Sequence, residues 1–284
     1  MFCALATVIS LHLAAGIAPT KPAASRNSAP NSSWQQISSY ESASFDVSAE
    51  RQLLKMANAD RARASLPPLK MDDGLVEAAR AHAARMASED KLSHQFSGEP
   101  SPPERISATS TLHLARTAEN VALASTAKNA HDALMSSPPH RENLLNASYN
   151  VAGFGVFRSG NRLYVAQDFG TSMPAYSVRQ AQELLEESVE QLRAKARMPR
   201  LQRVEDRRMQ SSACAMAQAD SLVAAPPLAG AYMLRYTSMK PETLPANISK
   251  VIAKRGLRTY SAGACYARTQ KYPNGAYWVV LVFY

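Results

Sequence analysis

The stretch MSSPPHRENLLN, residues 135–146, contains one histidine directly after two prolines. Proline is favoured at the first position of an α-helix, and Ser136 or Ser137 can cap that helix. The stretch therefore predicts a short helix with His140 in its first turn. There the helix dipole disfavours a protonated imidazole, and the neutral imidazole is the form that binds metal or acts as a general base.

Two amphipathic helices are predicted before this stretch, and a β-hairpin is predicted after it. Residues 46–70 and 75–87 have apolar side chains at helical spacing, and the first of these segments ends in basic residues and prolines. Residues 152–170 form two β-rich runs around a turn with Gly and Asn. Helices that pack on an antiparallel sheet give a layered α+β fold.

The same order of patterns occurs a second time. Ser177 is a predicted N-cap of the second copy's first helix, with Gln180 placed for a capping box. The repeated blocks are RARASLPPL (61–69) with RAKARMPRL (193–201), residues 75–87 with 209–221, and residues 152–170 with 262–284. Three similar blocks in one order predict an internal duplication. We expect a first unit over residues 46–171 and a smaller, degenerate copy over residues 176–284.

The N-terminal segment predicts export. Residues 1–18 are apolar and end in small residues, as in a cleaved signal peptide. A membrane anchor is the alternative, but the apolar run is short for a span. Residues 19–45 are rich in Ser, Pro and Asn and predict a disordered linker. No later stretch is hydrophobic enough to span a bilayer, so we expect a secreted or periplasmic protein without a transmembrane domain after signal removal.

Two cysteines remain once Cys3 leaves with the signal. In an exported chain Cys214 and Cys265 can form one disulfide. Two buried thiols are the alternative, and the sequence leaves both open.

The positive charge is concentrated in the C-terminal part of the chain. Residues 171–284 hold 16 Lys and Arg against 8 Asp and Glu, whereas the preceding residues hold 16 against 15. This charge predicts binding to an anionic envelope component or lipid, with a solvated surface as the alternative. Nucleic acid is not expected as a partner.

Five motifs within residues 47–170 resemble the CAP superfamily (cysteine-rich secretory, antigen 5 and pathogenesis-related 1 proteins), in its bacterial secreted form. In order they are NADRARASLPPL, the Ser-His step of KLSHQFSG, AEN followed by Val-Ala, SPPHRENLLN and VAQDFG. The resemblance implies an α-β-α sandwich with a central antiparallel sheet for residues 46–171. It also implies a cavity that in many members is lined by two histidines and two acids.

The resemblance places His94, Glu119 and His140 in this cavity. The fourth group, an acid in the family, falls near Ser137, so we expect one acid to be missing. Two histidines and a carboxylate can hold Zn²⁺ with an open position for water, and such a site can support hydrolysis. Without the resemblance, these residues lack any local metal-ligand spacing, and a surface histidine or a capping glutamate is the alternative.

The other histidines receive simpler interpretations. His82 lies on an apolar helix stripe and is expected at the edge of the core with a hydrogen-bond partner. His113 and His131 have no identifiable partner and are expected to be exposed. All six histidines lie at or before His140, so residues 176–284 cannot rebuild the histidine pair.

Together these features favour a secreted binding module for a lipid, wall or other envelope ligand, with Zn²⁺ as its candidate cofactor. The resemblance implies sterol or lipid binding in some eukaryotic members. The alternative is a zinc-dependent hydrolase that acts on peptide or cell-wall substrates, and a third hypothesis is an interaction protein with an inert cavity. No Ser-His-Asp or Cys-His arrangement is present, so no catalytic residue is predicted.

Overall fold

The computed structural model describes residues 44–224 and 230–284. The predicted signal peptide and nearly all of the predicted linker lie outside the described residues. The linker was predicted to end at residue 45, but Phe45 already forms a β-bridge with Phe157. None of the described helices is long and apolar enough to cross a bilayer.

From residue 44 to residue 173, the chain forms five helices and four strands. Asp46 and Asp72 cap the first two helices by accepting hydrogen bonds from the backbone N–H groups of Ala49 and Leu75. The elements are α1 (Val47–Arg63), β1 (Lys70–Met71), α2 (Asp73–Ser88), α3 (Pro102–Thr109), β2 (His113–Ala124), α4 (Ala127–Ser136), α5 (Pro138–Leu144), β3 (Val151–Ser159) and β4 (Arg162–Met173).

The four strands form one sheet in the order β1-β3-β4-β2, covered by helices on both faces. Helix α2 packs directly on Gly153 and Gly155, where a Cβ would lie 2.1 Å from the backbone carbon of Leu75 and 2.2 Å from that of Ala79. Helices α1 and α4 contribute to the core on the other face. The predicted α-β-α sandwich is therefore confirmed, with the short β1 parallel to β3 and the other pairs antiparallel.

The described residues of the second part form three helices and four strands. Its first helix begins at the predicted capping box of Ser177 and Gln180. The elements are α6 (Val178–Lys195), β5 (Gln202–Arg203), α7 (Arg207–Gln218), β6 (Tyr232–Ser238), α8 (Ile248–Ile252), β7 (Thr259–Ala267) and β8 (Ala276–Phe283). Cys214 of α7 and Cys265 of β7 are joined by a disulfide, with Cα atoms 5.1 Å apart.

The second sheet has the strand order β5-β7-β8-β6, with β5 parallel to β7 and the other pairs antiparallel. The first sheet has the same order, so β5, β6, β7 and β8 correspond to β1, β2, β3 and β4. Helix α7 packs on one face, where a Cβ on Gly263 would lie 2.2 Å from the carbonyl oxygen of Met209. The equal topology supports the predicted duplication, whose bounds stay a prediction.

Arg268, beyond the end of β7, contacts the first part of the chain. Its guanidinium donates hydrogen bonds to three backbone carbonyls at and after the C-terminal end of α3. These belong to Ser107 at 2.7 Å, Ser110 at 2.6 Å and Leu112 at 2.7 Å. The last carbonyls of a helix carry partial negative charge and lack intrahelical partners, so a guanidinium stabilises them.

The predicted exposure of His113 and His131 was wrong, because both side chains are buried. The His113 ring packs on Tyr266 and Tyr277, with ring centroids 4.7 and 5.6 Å away. These tyrosines come from the second part of the chain, and local sequence around His113 carries no sign of them. His131 lies 2.6 Å from a carboxylate oxygen of Asp60, a partner from α1.

Candidate functional site

His94 and Glu119, both predicted for the cavity, are in direct contact. His94 lies in the loop after α2, Glu119 lies in β2, and their Nδ1 and Oε1 atoms are 2.8 Å apart. The His94 side chain is 55% exposed, whereas the Glu119 side chain is 2% exposed. The hydrogen bond to Glu119 raises the pKa of His94 above its ordinary value, although partial burial opposes this effect. An accessible imidazole is thus held by a buried carboxylate.

The second oxygen of Glu119 accepts a hydrogen bond from Arg105, a residue of α3. Both side chains of this ion pair are buried. Arg105 also donates to the backbone carbonyls of His94 at 3.1 Å and Pro100 at 3.0 Å. Sequence reasoning missed Arg105, which positions both the carboxylate and the loop that carries His94.

A second acid, Glu99, belongs to the same cluster. Its Oε1 atom lies 2.7 Å from Nδ1 of His82 and 3.5 Å from Nη1 of Arg105. Burial alone would raise the pKa of Glu99, but the hydrogen bond from His82 and the Arg105 charge outweigh burial and lower it. Sequence reasoning missed Glu99 as a member of this cluster, and the expectation that the acid near Ser137 is missing stays a prediction.

His82 is buried on α2 with hydrogen-bond partners, as predicted. Besides Glu99, its ring contacts the carbonyl oxygen of Ser93, 2.7 Å from Nε2. The same Nε2 atom lies 3.9 Å from Oε1 of Glu119. The His82 ring therefore lies between the two acids of the cluster.

Asp168 lies directly opposite Glu119 in the pairing of β2 with β4. Residues opposite each other in an antiparallel pair project on the same face of the sheet. Asp168 is completely buried, and among the described residues neither carboxylate oxygen has a hydrogen-bond partner. Burial and the negative charge of Glu119 raise the pKa of Asp168 well above 3.8. Asp168 was part of the VAQDFG motif, but no role was predicted for it.

His140 lies in the first turn of α5, as predicted. Its Nδ1 atom is 2.9 Å from Oγ of Ser137, and Asn120 donates a hydrogen bond to its backbone carbonyl at 3.1 Å. Partial burial and the positive charge of His94 lower the pKa of His140, which favours the neutral imidazole. The direct contacts of the two histidines differ, because His94 bonds to Glu119 and His140 to Ser137.

A zinc site with His94, Glu119 and His140 as joint ligands does not fit this arrangement. Both oxygens of Glu119 already bond to protein groups, one to His94 and one to Arg105. Within residues 44–224 and 230–284, no three His, Cys, Asp or Glu side chains form a group that could hold a metal ion. Glu119 can instead orient the imidazole of His94, as a carboxylate does behind a metal-bound histidine.

Comparisons with known proteins agree with this fold. Residues 54–169 match the cysteine-rich secretory protein family, CAP. The uncharacterized protein YkwD of Bacillus subtilis is 31% identical over 146 residues, which are 50% of this chain and 56% of YkwD. The chain therefore aligns with little more than half the length of this curated relative.

Two solved structures are similar to a segment of about the same size. An outer surface protein from Borrelia burgdorferi is 22% identical, with a TM-score of 0.42, over 45% of this chain and 95% of that protein. An extracellular SCP-domain protein from Bacillus anthracis is 25% identical, with a TM-score of 0.40, over 44% of this chain and 41% of that protein.

With the family match and the observed sandwich, residues 54–169 belong to the CAP superfamily.

Proposed function

We propose that the CAP domain is an extracellular binding module in which His94 and His140 contact the ligand. The supporting observation is the contact between the exposed imidazole of His94 and the buried carboxylate of Glu119. This contact uses Nδ1 of His94, and Ser137 is the neighbour of Nδ1 of His140. Among the described residues, Nε2 of either ring has no hydrogen-bond partner, so both atoms are available to a ligand.

The donor set suits a divalent cation such as Zn²⁺, bound by the two Nε2 atoms. Imidazole nitrogen is a common zinc ligand, and a hydrogen bond at the other ring nitrogen fixes its orientation and raises its basicity. In this proposal Glu119 orients His94 and is not itself a ligand. Water or groups of a second molecule would complete the coordination, which suits binding to a partner.

A zinc-dependent hydrolase, the alternative from the sequence, has less support. Hydrolysis at such a site needs a base that accepts a proton from the attacking water. Glu119 is committed to Arg105 and Glu99 to His82, so each would have to leave a buried contact before it could act. Asp168 has no such contact, but it is completely buried.

The proposal includes export from the cytoplasm. The apolar segment at residues 1–18 predicts a signal peptide, and disulfides persist in oxidising compartments, which suits the bond between Cys214 and Cys265. The matched family is one of secretory proteins. Fractionation of cells that express the full chain tests this part.

Zinc binding tests the proposed role of His94 and His140. Calorimetry and thermal unfolding with added zinc should show binding and stabilisation of the unmodified protein, because a ligand that binds the folded state stabilises it. His94→Ala and His140→Ala should each abolish most of this effect. Gln95→Ala and Arg141→Ala, exposed neighbours of the two histidines, are the matched controls and should retain it.

Two outcomes contradict the proposal. Equal zinc stabilisation in a His94→Ala, His140→Ala double variant would show that zinc binds elsewhere. Hydrolysis of peptides or wall fragments that disappears in the same variants would favour the hydrolase.

Binding of zinc should also weaken at low pH, because protonated His94 cannot bind the cation.

A further inference from the structure

The C-terminal part of the chain has no histidine, but it has a strongly uneven charge. Residues 230–284 contain eight Lys and Arg and a single acidic residue, Glu242. An excess of one sign on this scale suggests an anionic partner. The structure shows where part of this charge is exposed.

Three exposed cations gather at the end of the second sheet where β6 and β7 begin and β8 ends. Tyr232 pairs with Phe283, next to Tyr284, and the backbone N–H of Arg258 donates to the carbonyl of Tyr284 at 2.9 Å. Nζ of Lys254 lies 5.1 Å from the ring centroid of Tyr232. We call this end of the sheet the basic end, and its residues are Tyr232, Met233, Lys254, Arg255, Arg258 and Tyr284. Tyr232 and Met233 project to opposite faces of β6, so the apolar side chains lie on both faces of this end.

The basic end combines unpaired charge with exposed apolar side chains. Tyr232, Met233 and Tyr284 are 36%, 41% and 37% exposed. In the part of the chain that the structure describes, none of the three cations forms an ion pair with an acidic side chain. No acidic side chain of the described residues therefore pairs with Lys254, Arg255 or Arg258.

A buried arginine fixes the turn that presents the cations. Arg193 of α6 donates hydrogen bonds to the carbonyls of Ile252, Lys254 at 2.8 Å and Leu257 at 3.4 Å. A turn that is already ordered loses little conformational entropy when it binds a partner.

The fold does not require cations at this turn. In the CAP domain, Arg61 makes the same type of contacts with the turn after α5. Its acceptors are the carbonyls of Leu144 at 3.0 Å, Asn146 at 2.9 Å and Tyr149 at 2.9 Å. In the turn after α5, the positions that correspond to Lys254, Arg255 and Arg258 are occupied by Asn146, Ala147 and Asn150. The same type of turn forms there without charge, so the positive charges are not needed to form it, although Nη1 of Arg258 does donate to the carbonyl of Arg255 at 2.7 Å.

We propose that the basic end docks on the surface of a membrane that contains anionic lipid. Lys and Arg attract the phosphate groups, while tyrosine and methionine side chains enter the interface between headgroups and acyl chains. A soluble polyanion would use the cations and leave the apolar side chains in water. The basic end shares no residue with the candidate site of His94 and His140, so the two proposals stand or fall independently.

Sedimentation with lipid vesicles tests the proposal on the mature full chain. The protein should bind vesicles of equimolar phosphatidylglycerol and phosphatidylcholine and not vesicles of phosphatidylcholine alone. Binding should weaken as salt screens the charges. Triple reversal to Glu at Lys254, Arg255 and Arg258 should weaken the partition coefficient by about a hundredfold or more, because each cation near an anionic surface contributes roughly a factor of five.

The matched control reverses Arg51, Lys55 and Lys70 to Glu, exposed cations of the first part of the chain that form no ion pair with a described residue. It changes the net charge equally and should retain most of the binding. Tyr232→Ser with Met233→Ser should lower vesicle binding several-fold but leave binding to soluble polyglutamate unchanged. Equal losses in both triple variants, or no effect of the Tyr232 and Met233 changes on vesicle binding, would overturn the proposal. Thermal unfolding of each variant verifies that it is folded.

Discussion

Arg61 and Arg193 make the same set of hydrogen bonds in two different parts of the chain. In each case Nε donates to a proline carbonyl six residues later, Pro67 at 2.9 Å and Pro199 at 2.7 Å. The terminal nitrogens bind carbonyls of the turn before the third strand of the sheet. Both arginines are almost completely buried. They begin the aligned blocks RARASLPPL and RAKARMPRL, so contacts as well as sequence support a duplication.

This role predicts that lysine cannot replace either arginine. Lysine presents one ammonium group where the guanidinium reaches four carbonyls, so Arg61→Lys and Arg193→Lys leave buried acceptors without donors. We expect each change to lower the free energy of unfolding by about 2–4 kcal/mol, measured by urea denaturation. The control is Arg63→Lys, an exposed arginine nearby, which should cost little. A loss as small as that of the control would contradict this role for the arginine pair.

Glu119→Gln tests how the carboxylate acts on His94. The hydrogen bond to Glu119 is the main reason that the pKa of His94 is raised, so the variant should bring that pKa back towards 6.5 or below. Because the pKa of His94 is higher in the folded state, protonation of His94 stabilises the folded state fully at pH values below 6.5. This stabilisation is lost as the pH rises from 6.5 through the pKa that His94 has in the folded protein. The unmodified protein should therefore lose stability over that range relative to Glu119→Gln. Histidine titration by NMR measures the pKa, and an unchanged value would refute the assignment.

Asp168→Asn tests the buried acid beside Glu119. Because the pKa of Asp168 is raised above 3.8, the folded state holds a proton that the unfolded state releases. The stability that this group contributes is therefore lost gradually as the pH rises from 3.8 to the pKa of Asp168 in the folded protein. The difference in unfolding free energy between Asp168→Asn and the unmodified protein should grow in favour of the variant over this range. A flat difference for Asp168→Asn would rule out the raised pKa.

The sequence predicted those parts of the fold that depend on local patterns. The helix start at Ser137, the capping box at Ser177 and the β-hairpin at residues 152–170 all follow from residues close together in the chain. His140 was correctly placed in the first turn of its helix. Its lowered pKa, however, comes from burial and the charge of His94, which no local pattern contains.

The acid and arginine network could not be predicted in the same way. Arg105 occupies an ordinary position in the helix sequence PPERISAT, and only the folded chain shows that it faces Glu119 and Glu99. Asp168 was visible in the VAQDFG motif, yet its burial depends on the pairing of β4 with β2. The cluster draws residues from α2, α3, two strands and a loop, so no spacing along the sequence indicates it.

Arg268 and His113 provide a test of the contact between the two parts of the chain. Burial and the positive charge of Arg268 lower the pKa of His113. Arg268→Ala removes that charge and the three hydrogen bonds to backbone carbonyls, so the pKa of His113 should rise towards 6.5. Amide hydrogen exchange should also become faster at the end of α3, because its last carbonyls lose their cap.

Arg268→Lys separates charge from hydrogen bonding. A lysine retains the positive charge but cannot reach the three carbonyls in the geometry of a guanidinium. We therefore expect His113 to retain most of its lowered pKa in Arg268→Lys, while hydrogen exchange at the end of α3 increases nearly as much as in Arg268→Ala. If both variants exchange as slowly as the unmodified protein, the C-terminal part does not stabilise α3, and Arg105 and its neighbours hold that helix without it.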